Sequence, residues 1–260
     1  MSLRIGAVPD IGRLSVRQSP TSHLPSVPMR ACFFAPSGVG KTNLMVSLLT
    51  NPRMYGGNVF DAVYVVSPSA KLDSTWQHLA KYRAKRGQKE EEFFFDHWDA
   101  ERIQKIIDES FKLTAHQKAR QAKGERVRAI SVCLVVDDMA DQQSILHATG
   151  NSILNSAFIR ARHAFLSVWI ASQRPNLTSS IIRTQMSALV IFRQRNRKDF
   201  EVFVDEFSAI VDKKTLIQMN DIATKDKYNF LYINLLANDV DHMFYWSFDK
   251  RLVPSSIEEG

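Results

Sequence analysis

The sequence predicts an α/β fold in which a mostly parallel central sheet is covered by helices on both faces. Its apolar segments are short and almost continuously hydrophobic, which is typical of strands that are buried on both sides. Segments with helical periodicity separate most of them, as in a parallel sheet with crossover helices. Five segments have the buried-strand pattern: Arg30–Phe34, Ala62–Val66, Ile130–Val136, Phe165–Ala171 and Ala188–Phe192.

The predicted helices follow the strands in order. Thr42–Thr50 begins soon after the first strand and is stopped by Asn51-Pro52, because proline cannot continue a helix. Near the end of the chain, Asn229–Leu235 and His242–Phe248 alternate apolar and polar residues, so we expect a C-terminal antiparallel extension of the sheet. Further segments with one apolar helical face are Ser74–Arg83, Asp99–Lys112, Asp199–Val211 and Lys214–Ala223.

Composition divides the chain into an arm, a domain and a tail. Residues 1–27 are polar and interrupted by prolines, which predicts a loose N-terminal arm and no secretory leader. Residues 28–250 then form one domain, and residues 251–260 form a tail. Within the domain, residues 113–128 are basic and poor in apolar side chains, so they form either an exposed helix or a mobile insertion.

The most specific motif lies between the first strand and the first helix. Residues 35–42 read APSGVGKT, which matches the phosphate-binding Walker A loop except that Ala35 replaces glycine. Backbone N–H groups of such a loop converge on phosphate oxygens at the positive end of the helix. Lys41 is expected to reach the β- and γ-phosphates, and Thr42 to hold Mg²⁺, so ATP and Mg²⁺ are the predicted cofactors. The predicted nucleotide-binding residues are Ser37, Gly38, Val39, Gly40, Lys41, Thr42 and Asn43.

Two aspartates end the third predicted strand, and Gln173 follows the fourth. The carboxyl ends of parallel strands meet at one edge of a sheet, so these side chains and the loop are expected to share one site. Asp137 is the expected partner of Thr42 at Mg²⁺. Asp138 has the position of a general base that orients the attacking water. The alternative is that both aspartates only cap the helix Gln142–Leu146.

The remaining candidates for catalysis are an amide and several arginines. Gln173 is predicted to sense the γ-phosphate or to position water, and the alternative is a strand-end residue that bonds only to its own loop. Phosphoryl transfer is accelerated by an arginine that offsets charge in the transition state. The candidates for this arginine are Arg160, Arg162, Arg183 and Arg193. Each of them could instead be a surface or structural residue.

The charge balance favours a polyanion as partner. Lysine and arginine number 34 against 27 aspartates and glutamates, a formal net charge of +7. Residues 113–128 and Arg193–Lys198 are candidates for contact with phosphate backbones, and a solvated basic surface is the alternative for each. No apolar run approaches the length of a membrane span, so no membrane partner is expected. Cys32 and Cys133 lie in strand-like segments, which favours buried free thiols and a reducing, intracellular setting.

Four segments, taken in order, resemble the FtsK–HerA superfamily of DNA-pumping ATPases. They read APSGVGKT, ISVCLVVDDM, ARHAFLSVWIASQRP and IIRTQMSALVIFR, and the resemblance spans about residues 29–248. The chain is most similar to the poxvirus-like genome-packaging ATPases of large DNA viruses, virophages and Polinton-type elements. The Walker motifs alone are unspecific, whereas their combination with the RARH segment and a Gln-ended strand is specific.

The resemblance implies a sheet order and an assembly. The Gln-ended strand is expected between the Walker A and Walker B strands, which keeps Cys32 and Cys133 on non-adjacent strands. A ring of five or six subunits is expected, with double-stranded DNA in its channel and ATP at the subunit contacts. FtsK carries an arginine where this chain has Ser187-Ala188. Arg162 or Arg160 is therefore the expected finger acting on a neighbour's nucleotide.

The leading hypothesis is an ATP-driven motor that translocates double-stranded viral DNA into a preformed capsid. Its further partners would be portal or vertex proteins of that capsid. Its location would be the host-cell cytoplasm, a virus factory or the virion. Two alternatives stay open: a small-molecule kinase, with residues 113–128 imitating a lid, and a non-hydrolysing module that uses ATP to form a ring. The Asp-Asp pair and Gln173 favour water as the acceptor.

Overall fold

The computed structural model describes residues 14–139, 143–146 and 152–255, which contain one nine-stranded sheet. Across the sheet the strand order is β3-β2-β4-β5-β1-β6-β7-β8-β9. The first six strands in this order run parallel, and β7 to β9 are antiparallel to their neighbours. The strands are β1 (Arg30–Phe34), β2 (Ala62–Val66), β3 (Phe94–Phe95), β4 (Val132–Asp137), β5 (Leu166–Ser172), β6 (Ala188–Phe192), β7 (Phe230–Asn234), β8 (Phe244–Trp246) and β9 (Lys250–Leu252). The predicted parallel sheet with an antiparallel C-terminal extension is confirmed.

The central strands end level with one another. β5, which precedes Gln173, lies between β1 and β4, as the resemblance implies. Phe34 is paired with Ser172, and Asp137 with Ala171, so the residues that follow these strands emerge at one edge of the sheet. Cys32 of β1 and Cys133 of β4 are buried free thiols on non-adjacent strands, as predicted.

Helices cover both faces of the sheet because successive strand side chains point to opposite sides. On one face, Phe33 shares a core with Met45 of α1 and Trp76 of α2. On the other face, Phe34 packs against Phe203 of α8, with their ring centroids 5.1 Å apart. The helices of the described residues are α1 (Lys41–Thr50), α2 (Ser74–Ala84), α3 (Glu90–Phe93), α4 (Ala100–Ala122), α5 (Gln143–Leu146), α6 (Ile153–Arg160), α7 (Ser180–Gln185), α8 (Arg197–Glu206) and α9 (Lys213–Ala223).

The helix α4 is longer than the sequence indicates. The predicted helix Asp99–Lys112 continues through most of the basic segment to Ala122, so residues 113–122 form the exposed helix that was one of the two alternatives, and not a mobile insertion. Gln117 is buried, donates to the carbonyl oxygen of Arg128 at 2.7 Å and accepts from the N–H of Ile130 at 3.2 Å. Tertiary hydrogen bonds therefore hold a stretch that lacks an apolar face.

The predicted arm and tail both differ from expectation where they are described. Leu14, Leu24 and Val27 are buried, and Ser15 forms a parallel bridge with Arg128. Residues 14–27 therefore pack on the domain and are not a loose arm, while residues 1–13 lie outside the described residues. At the other end, the domain runs past residue 250, because β9 pairs with β8.

Candidate nucleotide-binding site

The Walker A segment leaves β1 at the carboxyl edge of the sheet and turns directly into α1. Gly38 has φ 80° and Gly40 has φ 95°, left-handed conformations that a residue with a side chain adopts only with strain. Gly40 is the residue that caps α1, so no side chain covers the first N–H groups of that helix. A helix start of this kind directs uncompensated N–H groups and partial positive charge toward an anion.

Lys41 and Thr42 both contact Asp137 at the end of β4. The Lys41 ammonium lies 3.0 Å from Asp137 Oδ1, and the Thr42 hydroxyl donates to Oδ2 at 3.4 Å. Asp137 is 1% exposed. Burial raises the pKa of its carboxyl, and the charge and hydrogen bond of Lys41 act in the opposite direction. The two Walker motifs are thus joined, because Lys41 and Thr42 of the loop both contact Asp137.

Asp138 and Gln173 form the second pair at this edge. The Gln173 amide donates to Asp138 Oδ1 at 3.0 Å. Asp138 has φ 56°, an uncommon left-handed conformation for a residue other than glycine, and its side chain is exposed. Such backbone strain is concentrated at functional sites. The turn directs Asp138 away from buried Asp137, so the neighbouring carboxylates occupy different environments.

Nine of the predicted site residues converge on one cavity of about 490 Å³. The sequence did not single out Ser69, Asp73, Thr75 and Tyr228, which also line it. Ser69 follows β2 at the same edge, a position that strand order alone could have indicated, whereas nothing in the local sequence marks Tyr228. Val39 lines an adjoining cavity. The predicted residues that line the cavity are Ser37, Gly38, Gly40, Lys41, Thr42, Asn43, Asp137, Asp138 and Gln173.

The donor set of this cavity suits magnesium. Mg²⁺ is usually held by one or two protein oxygens together with phosphate oxygens and water. The Thr42 hydroxyl and the Asp137 carboxylate, already in contact, supply such oxygens. Within the described residues, no cluster of three or more histidine, cysteine or acidic side chains forms a separate metal site.

Three of the four arginine candidates lie away from this cavity, and the fourth, Arg193, lines the adjoining one. Arg160 and Arg162 are exposed and precede β5, whereas Gln173 follows it. A strand of this length separates its ends by about 20 Å. Arg183 is held within its own chain, where its Nε lies 2.6 Å from Glu206 Oε1 and its Nη1 donates to the carbonyl oxygens of Pro175 and Thr178. This pairing gives Arg183 a structural role and speaks against its use as a finger.

Comparisons with known proteins identify the fold. No family model matches the chain, and no curated protein matches its sequence. The DNA-packaging ATPase B204 from Sulfolobus turreted icosahedral virus is 12% identical, with a TM-score of 0.52 over 84% of this chain and 96% of that one. B204 from Sulfolobus turreted icosahedral virus 2, in complex with ATP-γS, is 12% identical, with a TM-score of 0.50 over 84% and 95%.

A third solved structure comes from a conjugation system. The pCW3 conjugation coupling protein TcpA, with ATPγS, is 13% identical, with a TM-score of 0.50 over 90% of this chain and 65% of that one. At such identities the likeness establishes the fold alone, a mixed α/β fold with a mostly parallel sheet that this chain shares with these nucleotide-binding proteins. The fold predicted from the sequence is confirmed. Among the described residues, no helix has the length and apolar character needed to cross a membrane.

Proposed function

We propose that this FtsK–HerA-type fold serves an ATP-hydrolysing motor that moves double-stranded DNA, and that packaging a viral genome into a capsid is its task. The observation that carries the proposal is a single cavity that unites the Walker A loop with Asp137, Asp138 and Gln173. The likeness of the fold to genome-packaging and conjugation ATPases supports the choice of DNA as the moved substrate.

Nucleotide binding uses the Walker A loop and the two residues that contact Asp137, Lys41 and Thr42. The N–H groups at the start of α1 receive the phosphates. Lys41, which pairs with Asp137 at 3.0 Å, moves its charge to the β- and γ-phosphates. Thr42 and Asp137 would hold Mg²⁺, which when bound would offset negative charge on those phosphates.

Hydrolysis of the bound ATP uses Asp138 and Gln173. Asp138 accepts a proton from water while that water attacks the γ-phosphorus and the bond to the bridging oxygen of ADP breaks. Gln173, bonded to Asp138 at 3.0 Å, holds the carboxylate and the water in place. Asp138 is exposed and can accept this proton, whereas both oxygens of Asp137 are engaged by Lys41 and Thr42.

An arginine from another copy of the chain completes the site in this proposal. Arg160 and Arg162 are exposed but separated from their own chain's Gln173 by the length of β5. They can therefore serve a neighbouring subunit in a pentameric or hexameric ring, and not their own cavity. The nucleotide then lies at a subunit contact, and a lone protomer hydrolyses ATP slowly.

The remaining partners follow from charge and task. The formal charge of +7 and exposed basic residues such as Arg193, Arg195 and Lys198 favour contact with phosphate backbones without reading of base sequence. Capsid portal or vertex proteins would receive the DNA, which places the protein in the host-cell cytoplasm, a virus factory or the virion. Residues 113–122 belong to α4, so they do not supply the lid that a small-molecule kinase would need.

The test measures phosphate release with and without linear duplex DNA, with the oligomer size measured in the same samples. DNA is expected to stimulate the wild type, Lys41→Ala to abolish turnover, and the exposed control Lys105→Ala to leave it unchanged. Undiminished turnover by Lys41→Ala would refute ATP hydrolysis at this site. Rings that form normally without DNA-stimulated turnover would favour an assembly module over a motor.

Mixed rings test the arginine. Lys41→Ala and Arg162→Ala are each expected to be inactive alone, and a mixture to regain turnover, because some contacts then join an intact Lys41 to an intact Arg162. The same mixture made with Arg160→Ala decides between the two arginines. Failure of both mixtures to regain activity would exclude an arginine supplied by either position.

A further inference from the structure

A second cavity adjoins the phosphate cavity on the opposite side of the Walker A loop. It measures about 610 Å³ and shares Pro36 and Tyr228 with the first cavity. Its remaining wall comes from the end of β6 and from the chain between α9 and β7. β6 pairs with β1 on the side away from β5, so this cavity lies opposite Asp138 and Gln173.

The direction of a bound triphosphate follows from this placement. Its terminal phosphate must face Asp138 and Gln173, where the attacking water is held. The rest of the molecule then extends away from β4 and β5, toward β6. The second cavity is where a nucleoside attached to those phosphates would enter.

The chemistry of the second cavity suits a nucleoside. Pro36, Val39 and Phe192 provide apolar surface for a flat ring, and Gln194 and Asn229 add groups that donate and accept hydrogen bonds. Arg195 donates to the carbonyl oxygen of Ser37 at 3.3 Å, which ties this wall to the phosphate loop.

Tyr228 lies at the junction of the two cavities in a conformation that bulky residues rarely adopt. Its φ is 72° and it is 57% exposed, with the Lys227 ammonium 4.8 Å from its ring centroid. A Cβ atom at Gly40 would lie 3.1 Å from Tyr228 Cδ1, so the ring rests against the phosphate loop. Exposure and backbone strain together indicate a side chain retained for binding and not for the core.

We infer that the second cavity receives the base and ribose of the nucleotide and that Tyr228 stacks on the base. The inference rests on the proposed function in taking the loop as the triphosphate site and in placing the attacking water at Asp138 and Gln173. Arg193, Lys225 and Lys227 also line the cavity, and they would equally attract a nucleic-acid backbone. The phosphates of a nucleic-acid backbone offer no apolar surface to pack against Pro36, Val39 and Phe192, whereas a base does. The cavity therefore suits a base better than a phosphate chain.

The experiment compares a nucleotide with its phosphates alone. Isothermal titration measures the affinity of wild type, Tyr228→Ala and Tyr228→Phe for Mg·ATP and for Mg·tripolyphosphate, which has no base. Tyr228→Ala is expected to weaken ATP binding about tenfold to hundredfold, the usual effect of losing a base-stacking ring, and to leave tripolyphosphate binding unchanged. Tyr228→Phe, which keeps the ring and the same backbone constraint, should bind ATP as the wild type does.

Three results would overturn the inference. Equal weakening of both ligands by Tyr228→Ala would mean that Tyr228 acts by shaping the loop. Unchanged ATP affinity would place the base elsewhere, and a loss of duplex DNA binding without a loss of ATP binding would assign the cavity to nucleic acid. Failure of the wild type to bind either triphosphate is a different result, because it would refute the proposed function itself.

Discussion

The carboxyl and amino edges of the same sheet use their polar side chains in opposite ways. At the carboxyl edge, Asp138 and Gln173 bond to each other and line an open cavity. At the amino edge, Asp61 accepts two bonds from the Arg128 guanidinium at 2.7 and 2.9 Å and a third from the Ser131 N–H at 2.8 Å. At the carboxyl edge the polar groups thus remain accessible to a ligand, whereas at the amino edge they bond to each other and stabilise the fold.

At the start of β1, two serines likewise use their hydroxyl groups in hydrogen bonds within the protein. The Met29 N–H donates to Ser167 Oγ at 3.1 Å, and the Arg30 N–H donates to Ser187 Oγ at 2.9 Å. Ser187 Oγ also donates to the carbonyl oxygen of Arg30 at 3.2 Å. Substitutions at the amino edge should therefore lower the free energy of unfolding, and those at the carboxyl edge should lower activity.

The largest expected effect is that of Asp138→Asn on turnover. Loss of the general base should slow ATP hydrolysis about a thousandfold. The unfolding midpoint should stay unchanged because Asp138 is exposed. Phosphate release and thermal unfolding measure the two quantities, with Asp221→Asn on the exposed side of α9 as the control. Normal ATP hydrolysis by Asp138→Asn, or a lowered unfolding midpoint, would contradict the assignment of the carboxyl edge to activity and not to stability.

Gln173→Ala should have the next largest effect. Loss of one positioned donor is expected to slow turnover roughly a hundredfold. ATP affinity should be retained, because the loop is intact. Gln173→Glu is the matched variant: it keeps the size of the side chain, but it cannot donate to Asp138 and should be as slow or slower. Wild-type turnover in Gln173→Glu would show that the amide does not position the base.

Asp61→Asn tests the amino edge through pH. The carboxyl of Asp61 is partly buried, which raises its pKa, but the Arg128 and Ser131 hydrogen bonds outweigh burial and hold the pKa below its usual value. At neutral pH the substitution should cost about 2 kcal/mol of unfolding free energy, with the partial exposure of the pair limiting the effect.

The sign of the pH dependence follows from the lowered pKa. Asp61 contributes its full stabilisation above the ordinary aspartate pKa of about 3.9, and loses it as the pH falls through the lower folded-state value. Denaturant unfolding of wild type and Asp61→Asn over this range should therefore converge at acid pH. A difference that persists or grows as the pH falls would contradict the role of the charged carboxylate.

The smallest expected effect is that of Ser187→Ala. It removes the acceptor of the Arg30 N–H at a buried position and should cost about 1 kcal/mol of unfolding free energy. DNA-stimulated turnover should be unchanged at a temperature where both proteins are folded. Denaturant unfolding and phosphate release on the same samples check both statements, and a loss of turnover without a loss of stability would reverse the assignment of this edge.

Patterns that depend on a few consecutive residues could be predicted from the sequence. The Walker A loop follows β1, the two acids lie at the end of β4 and Gln173 follows β5. Parallel strands bring these carboxyl ends together. The resemblance then supplied the strand order, which the register of β1, β5 and β4 confirms.

Features that depend on distant parts of the chain could not be predicted in this way. Residues 113–122 lack an apolar face, and the buried Gln117 is satisfied only by backbone groups just before β4. Residues 14–27 look unstructured in composition, yet Leu14, Leu24 and Val27 are buried. Local propensity is a weak guide wherever tertiary hydrogen bonds and packing outweigh it.

The amino-acid sequence thus specifies the chemistry of the site, because each motif is local and its strand context makes the backbone geometry predictable. The folded chain alone shows that Lys41 rests on Asp137, that Gln173 holds Asp138 and that Tyr228 reaches the loop at Gly40. These contacts join strands and loops far apart in the sequence. Their distances depend on how the whole sheet and its helices pack, which no short segment encodes.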